Sequence, residues 1–269
     1  MITRNSNFIL NEYNNTKWPL VVEIIQKEIK NGENNISRIL SKINRELRTK
    51  SITKIIEIIA MDQKILLPRE FAISGNQALI SNKILSYVNK NTTHIVELGS
   101  GYGRNLFWLW SLGGPNLNYH GLEYTENGRK AANLISSVEK QISYESSFFD
   151  FHKPDLSCFH KSKGEIIFFT VHSIEQIPKL KQAFFSELLK LNKKITVIHF
   201  EPFGWQTDTK NSLLGSFEKY ALKNDYNCNL FYLIKSLEKE KLVNIEEILV
   251  DYICINKNNG TSILTWKPC

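Results

Sequence analysis

The chain has 269 residues, 42% of them hydrophobic, a formal net charge of +7 and four cysteines. That length suits one large α/β domain, or a domain of roughly 150–200 residues carrying an extension. No window approaches ~18 consecutive apolar residues, which argues against a membrane span. The opening stretch lacks both an apolar signal core and a small-residue cleavage site, so a cytoplasmic protein is expected. Cys158, Cys228, Cys254 and Cys269 are widely spaced and form no C-x-x-C pair, so reduced thiols and no metal site are expected. Basic residues are interleaved with acids, and no run of five or six like charges suggests a nucleic-acid surface.

From Ile36 to about Ile65 the apolar residues recur every three or four positions. Ile36, Ile39, Leu40, Ile43 and Leu47 are followed by Ile52, Ile55, Ile56 and Ile59. The spacing predicts amphipathic helices. Arg38, Lys42, Arg45, Arg48, Lys50 and Lys54 form a basic face, whose usual meaning is solvation and whose alternative is an anionic ligand. Pro68 closes this section. "FAISGNQALISNKILSYVNK" then reads as a further helix leading into the first strand of a sheet. Residues 1–90 are thus expected to form a helical extension or lid, and residues 91–269 the main domain.

After residue 90, strands alternate with helices, the mark of a parallel sheet covered on both faces. Strands are expected at His94 to Leu98, Asn118 to Glu123, Ile142 to Ser146, Glu165 to Val171 and Ile195 to Phe200. Helices are expected at about 104–112, 126–139, 178–191 and 230–241. At the end, two strand-like runs flank Asn258-Asn259-Gly260, residues that tolerate positive φ and so favour a hairpin. The fold class is α/β: a mostly parallel, seven-stranded, Rossmann-like sheet that ends in an antiparallel hairpin.

The segment "VELGSGYGRN" follows the first of these strands and places glycines at alternate positions, Gly99, Gly101 and Gly103. Glycine at the end of a parallel strand permits a sharp turn, close approach of a ligand to backbone, and tight helix–strand packing. A dinucleotide loop, G-x-G-x-x-G, would put its third glycine at position 104, where this chain has Arg104. The spacing is instead E-x-G-x-G-x-G, beginning at Glu97.

These residues resemble the first motif of the class I S-adenosylmethionine-dependent methyltransferases, and the resemblance covers about residues 90–269. It extends to the acid ending the second strand in "YHGLEYTENG", the Asp in "SSFFDFHKPD" and the terminal hairpin. It implies S-adenosylmethionine as cofactor. Backbone around Gly99, Ser100, Gly101 and Gly103 would approach its amino-acid portion, with Glu97 and Asn105 alongside. Glu123 would take the ribose hydroxyls, beside Tyr124. Asp150 would meet the adenine amine, Phe149 or Phe151 would line the adenine slot, and Val171 would end a neighbouring strand. Elementary chemistry agrees at Glu123, since a carboxylate at a strand end about 20 residues past the loop can accept from two hydroxyls.

Acceptor residues are expected just beyond the next two strands, in "FFTVHSIEQIP" and "VIHFEPFGW". His172 has the ordinary pKa for a general base toward a hydroxyl. Glu175 and Glu201 would instead suit a cationic amine or guanidinium. Neither an N-P-P-Y type segment nor a strand-end cysteine is present, which disfavours nucleic-acid bases. The expected activity is methyl transfer to a nitrogen or hydroxyl of a small polar metabolite or peptide, of the sort met in natural-product biosynthesis, without a metal or a membrane. The competing readings are an NAD-binding oxidoreductase and a non-catalytic binding protein of the same fold.

Overall fold

A computed structural model describes residues 3–47, 54–208, 217–256 and 258–269. The chain opens with α1 (Ser6–Ile9), continues in a wider, π-type winding over Leu10–Lys17, and runs on into α2 (Trp18–Lys30). Asn5 caps the start: its side chain accepts from the Phe8 N–H at 2.9 Å. Then α3 (Ile36–Leu47) buries Ile36, Ile39, Leu40 and Ile43 on one face. Full burial of such side chains contributes roughly 1.5–3 kcal/mol each. On the opposite face Lys42 lies 3.3 Å from Glu46 and 3.8 Å from Glu28, and Arg38 lies 3.9 Å from Glu33. The described part of the basic stretch is therefore a solvated face of paired charges. Arg48, Lys50 and Ile52 lie outside the described residues.

The predicted helix through Ile55, Ile56 and Ile59 is instead a strand hairpin. Strands β1 (Ile55–Ala60) and β2 (Gln63–Pro68) pair antiparallel across Met61 and Asp62, both at positive φ (49° and 60°). Consecutive positive φ values give the turn whose twist matches a two-residue hairpin. The isoleucines are β-branched, and that favours the pleated conformation over the helix. Ile58 and Ala60 then pack with Ala72 of α4 (Arg69–Ser86) and with Ile253.

The remaining elements are β3 (Thr92–Leu98), α5 (Arg104–Ser111), β4 (Asn118–Glu123), α6 (Glu126–Ser136), β5 (Ser143–Phe148), β6 (Glu165–Val171), α7 (Gln182–Lys190), β7 (Ile195–Glu201), α8 (Phe217–Lys223), α9 (Leu230–Lys239), β8 (Val243–Asn256) and β9 (Asn259–Pro268). Apart from α8, which was not among the expected helices, these agree with the sequence-based strands and helices to within a few residues. The sheet has nine described strands in the order β2-β1-β8-β9-β7-β6-β3-β4-β5. Five are parallel, β5 through β7, and the terminal hairpin adds antiparallel pairs. The sheet is thus wider than the expected seven strands because β1–β2 joins β8 at its edge. One face carries a core that unites Val21, Ile25, Ile39 and Ile84 of the first ninety residues with Ile95, Phe107 and Ile198. The other face packs Phe184, Phe185 and Ile234 against Val96, Phe168 and Trp266.

Candidate active site

The carboxyl ends of β3, β4, β6 and β7 lie side by side, the usual ligand-binding rim of an open α/β sheet. Beyond β3 the chain turns through Gly99, Gly101 and Gly103 at φ values of 76°, 55° and 76°. At Gly99 the backbone passes so close to the loop after β6 that a Cβ would stand 2.5 Å from the Cβ of Ser173. At Gly101 a Cβ would stand 2.9 Å from the indole ring of Trp18. The space beside Gly101 therefore belongs to the N-terminal helix rather than to ligand alone, which corrects the simple expectation for that glycine. Gly103 has no place in the cavity wall. It precedes α5, where a Cβ would press on Phe107 of α5 and on the Tyr144 hydroxyl of β5.

Glu97 is 1% exposed. Its Oε1 accepts from Asn105 Nδ2 at 2.6 Å, and its Oε2 is buried with no hydrogen-bond partner among the described residues. Burial, aided by the charge of Glu123 and opposed by Asn105, pushes its carboxyl up to about 8. Ser100 borders the same cavity, its hydroxyl lying close to that of Tyr144 at Gly121. Glu123 Oε2 accepts the Gly101 N–H at 2.8 Å, and its Oε1 accepts the Thr125 N–H at 2.8 Å and the Thr125 hydroxyl at 2.5 Å. Burial raises its pKa against the pull of those donors.

A cavity of about 500 Å³ runs from this loop to the N-terminal helices. That is the size of a small-molecule site. Glu97, Gly99, Ser100, Gly101, Asn105, Glu123, Tyr124, Asp150, Val171 and His172 all border it. Phe149 does not: it is 2% exposed and packs edge-on against Phe151, and it is Phe151 that reaches the cavity. Asp150 accepts the His152 N–H at 2.8 Å, which fixes the turn that presents it.

On the acceptor side the structure separates the three expected residues. His172, at φ 50°, borders the cavity. Its Nδ1 is 2.8 Å from Glu175 Oε2 and its Nε2 is 2.7 Å from the Thr261 hydroxyl. Burial disfavours the imidazolium, but Glu175 and Glu201 outweigh it, and the pKa is raised. Glu175 and Glu201 do not border this cavity. Glu175 accepts from His172, Gln176 and Asn259. Glu201 accepts the N–H groups of Ser173, Ile174 and Glu175 at 3.0, 3.0 and 3.1 Å. It anchors the loop after β6 rather than bordering the cavity. Burial pushes its carboxyl up to about 7. The aromatics that follow are packing residues: Phe203 is 1% exposed and stacks on Phe231.

Sequence reasoning missed the far wall, where Arg4, Tyr13, Trp18, Asn76 and Gln77 border the cavity. Trp18 packs at 5.4 Å against Tyr102 of the glycine loop. Asn14 pairs with Asn127 through two hydrogen bonds of 2.9 Å. The available signal was α4, whose core-facing stripe of isoleucines is interrupted by an amide.

The rim chemistry fits S-adenosylmethionine. A cationic amino group suits the orphan Glu97 Oε2, and Glu123 Oε2, which accepts only the Gly101 N–H, has room for one hydroxyl.

No family model matches the chain, and no curated protein matches it in sequence. Among solved structures it is similar to a putative sarcosine dimethylglycine methyltransferase from Galdieria sulphuraria, at 14% identity and a TM-score of 0.52, covering 77% of this chain and 89% of that one. Weaker likenesses are a SAM-dependent methyltransferase from Aquifex aeolicus (12% identity, TM-score 0.42, covering 70% and 89%) and a geranyl diphosphate methyltransferase in complex with sinefungin (6% identity, TM-score 0.46, covering 72% and 78%). With its parallel strands, antiparallel terminal hairpin and glycine-turned first loop, the chain has the fold of the class I S-adenosylmethionine-dependent methyltransferases.

Proposed function

We propose that this protein transfers a methyl group from S-adenosylmethionine to a nitrogen or hydroxyl of a small, uncharged acceptor. The observation that carries the reading is the buried, half-satisfied Glu97 carboxylate beside the turn at Gly99–Gly101, with Glu123 and Asp150 on the same cavity wall. In this reading Glu97 and the loop backbone hold the amino-acid portion, Glu123 the ribose and Asp150 the adenine amine. S-adenosylmethionine, when bound, supplies an electrophilic methyl on a sulfonium centre. The chain's own part is to align the acceptor and to exclude water. Trp18, Tyr13 and α4 close the cavity on the side away from the sheet. The cationic-acceptor version rested on Glu175 and Glu201, and neither carboxylate reaches the cavity.

Calorimetric titration tests the cofactor assignment. S-adenosylmethionine and its demethylated product are expected to bind at micromolar strength and NAD not at all. Binding of NAD without binding of S-adenosylmethionine overturns the proposal.

One observation favours a hydroxyl acceptor with His172 as base. The residue borders the cavity with Nδ1 held by Glu175, so Nε2 would be the proton-accepting nitrogen once the acceptor hydroxyl takes the place of the Thr261 hydroxyl that now meets it at 2.7 Å. His172→Ala should then lower the chemical step by roughly 10²–10⁴-fold with cofactor affinity intact. Since the base acts as neutral imidazole and its pKa is raised, the rate should climb with pH through a midpoint above the ordinary histidine value. A flat profile across that range removes His172 from the chemistry.

A further inference from the structure

Two chemically different sets of residues border the cavity: Glu97, Ser100 and Glu123 from the sheet rim, and apolar and amide side chains from α1 and α4. On α4 the residues Ile73, Gln77, Ile80 and Ile84 follow helical spacing, so an amide stands in a stripe that is otherwise apolar. Gln77 is 6% exposed, and its Nε2 has no hydrogen-bond partner among the described residues. Its neighbour Asn76 presents a buried Oδ1 that is likewise without one. Both side chains border the cavity.

An unpartnered buried amide costs about 1–3 kcal/mol, and methionine would fill the same volume without that cost. Among the described residues Asn259 Oδ1 is likewise without a partner, but the two other amide side chains that are buried as a whole, Gln206 and Asn227, are not left so. Gln206 donates to the Asn227 carbonyl and accepts from Phe231 N–H. Asn227 donates to the Ile177 carbonyl and accepts from the N–H groups of Asn229 and Leu230. Arg4 is engaged by the Asn224 carbonyl and Gln176, and His172 by Glu175 and Thr261. Arg104, which also borders the cavity and keeps a buried Nε without a partner among the described residues, acts on Glu97, whose pKa its charge lowers. Ile9, Ile73, Ile80 and Ile177 supply apolar wall.

We propose that Asn76 and Gln77 recognise the acceptor, and that the acceptor is an uncharged molecule with an apolar body and a carboxamide or lactam group. Such a group sets a carbonyl oxygen beside an N–H and so answers one orphan donor and one orphan acceptor together. Rotation of either side-chain amide by a half turn keeps that match, because each carries both functions. The inference rests on the methyltransferase reading of the same cavity.

The test uses three probes that share a ring and differ in one substituent: benzamide, benzylamine and benzoate. Each is titrated, by NMR shift or calorimetry, into the full chain saturated with S-adenosylhomocysteine. Benzamide is expected to bind at least about tenfold more tightly than the other two. Gln77→Met should abolish the preference, leave S-adenosylhomocysteine affinity within about twofold, and hold or raise the melting temperature, because a buried amide without a partner is replaced by an apolar chain of similar volume. A purely structural Gln77 would lower it. Gln77→Glu, which keeps the size and adds a charge, should move the preference to benzylamine. Equal binding of the three probes, no binding of any at millimolar concentration, or a preference that survives Gln77→Met overturns the proposal. Failure of S-adenosylhomocysteine to bind instead overturns the cofactor assignment, and benzamide titrated into the protein alone then decides the question of Gln77.

Discussion

Glu97 and Glu201 both lie at the carboxyl ends of strands in one sheet and both are 1% exposed, yet their surroundings assign them different tasks. Glu201 is saturated by backbone donors, so Glu201→Gln sets an NH₂ against an N–H and leaves a buried donor unmet. A loss of about 1–3 kcal/mol is expected, and thermal unfolding would show it. Unchanged stability with weaker acceptor binding would return Glu201 to the acceptor. Glu97→Gln should behave in the opposite way, weakening S-adenosylmethionine with little cost to the fold. The pH dependence has a definite sign. Burial keeps the proton on Glu97 up to about 8, whereas the unfolded chain releases it near the ordinary carboxyl value. The native state thus binds more protons across that interval, and stability falls as pH rises through it. Melting temperatures at pH 5 and pH 8 should drop less in Glu97→Gln than in the parent. Glu97 and Glu123 were legible in the sequence because a glycine turn and a strand end are local features. Glu201 was not, since its donors come from Ser173 to Glu175 beyond the neighbouring strand. Gln77 could be noticed only as a break in a periodic stripe, and its lack of a partner is a tertiary fact.

At the scale of elements, the buried parallel strands were the easiest to read. β6 carries the continuous apolar run Ile166–Phe169, and its ends coincide with expectation because little else fits so short an apolar run. The β1–β2 hairpin was not legible, since isoleucines at 55, 56, 58 and 59 satisfy a helical spacing and a strand preference alike, and pairing with β8 decides between them. The opening helix has its own signature. Arg4 donates its side chain to the Asn224 carbonyl at 2.7 Å and to Gln176, donates its backbone N–H to the Asp225 carboxylate at 2.9 Å, and lies over the rings of Phe8 and Tyr226. It fastens α1 and the π-type winding across the cavity. Arg4→Ala should therefore raise amide hydrogen exchange in Ser6–Lys17 several-fold while β3 to β7 keep their protection, since opening can be confined to one cooperative unit. Exchange that rises throughout the sheet would make Arg4 a general stabiliser rather than a local fastening.

For the whole molecule, the first ninety residues are structurally continuous with the rest. Val21, Ile25, Ile39 and Ile84 share a core with Ile95 and Phe107, and β1 extends the same sheet. A fragment of residues 91–269 is expected to lose cooperative thermal unfolding, which calorimetry would register as the absence of a sharp transition. A sharp transition near that of the full chain would make the first ninety residues an independent unit. Acid should also be felt globally. Burial drives His199, which accepts from Trp266 Nε1 at 3.1 Å, down to about 3, and His120 down to about 4. The unfolded chain takes up those protons first, so stability declines as pH falls from the ordinary histidine value toward 4. The sheet order also bears on how the chain emerges during synthesis. β9 follows every other strand in sequence, yet it sits inside the sheet between β7 and β8 and so links the β8–β1–β2 edge to the parallel strands. Translation proceeds at about 5–20 residues per second, so the β1–β2 hairpin waits many seconds for its place while Ile58 and Ile59, buried in the finished sheet, remain open to water. In the cell the nascent chain is therefore a client for chaperones until its last strand is inserted, and substitutions in β9 should lower the yield of soluble protein more than equally buried ones in β4.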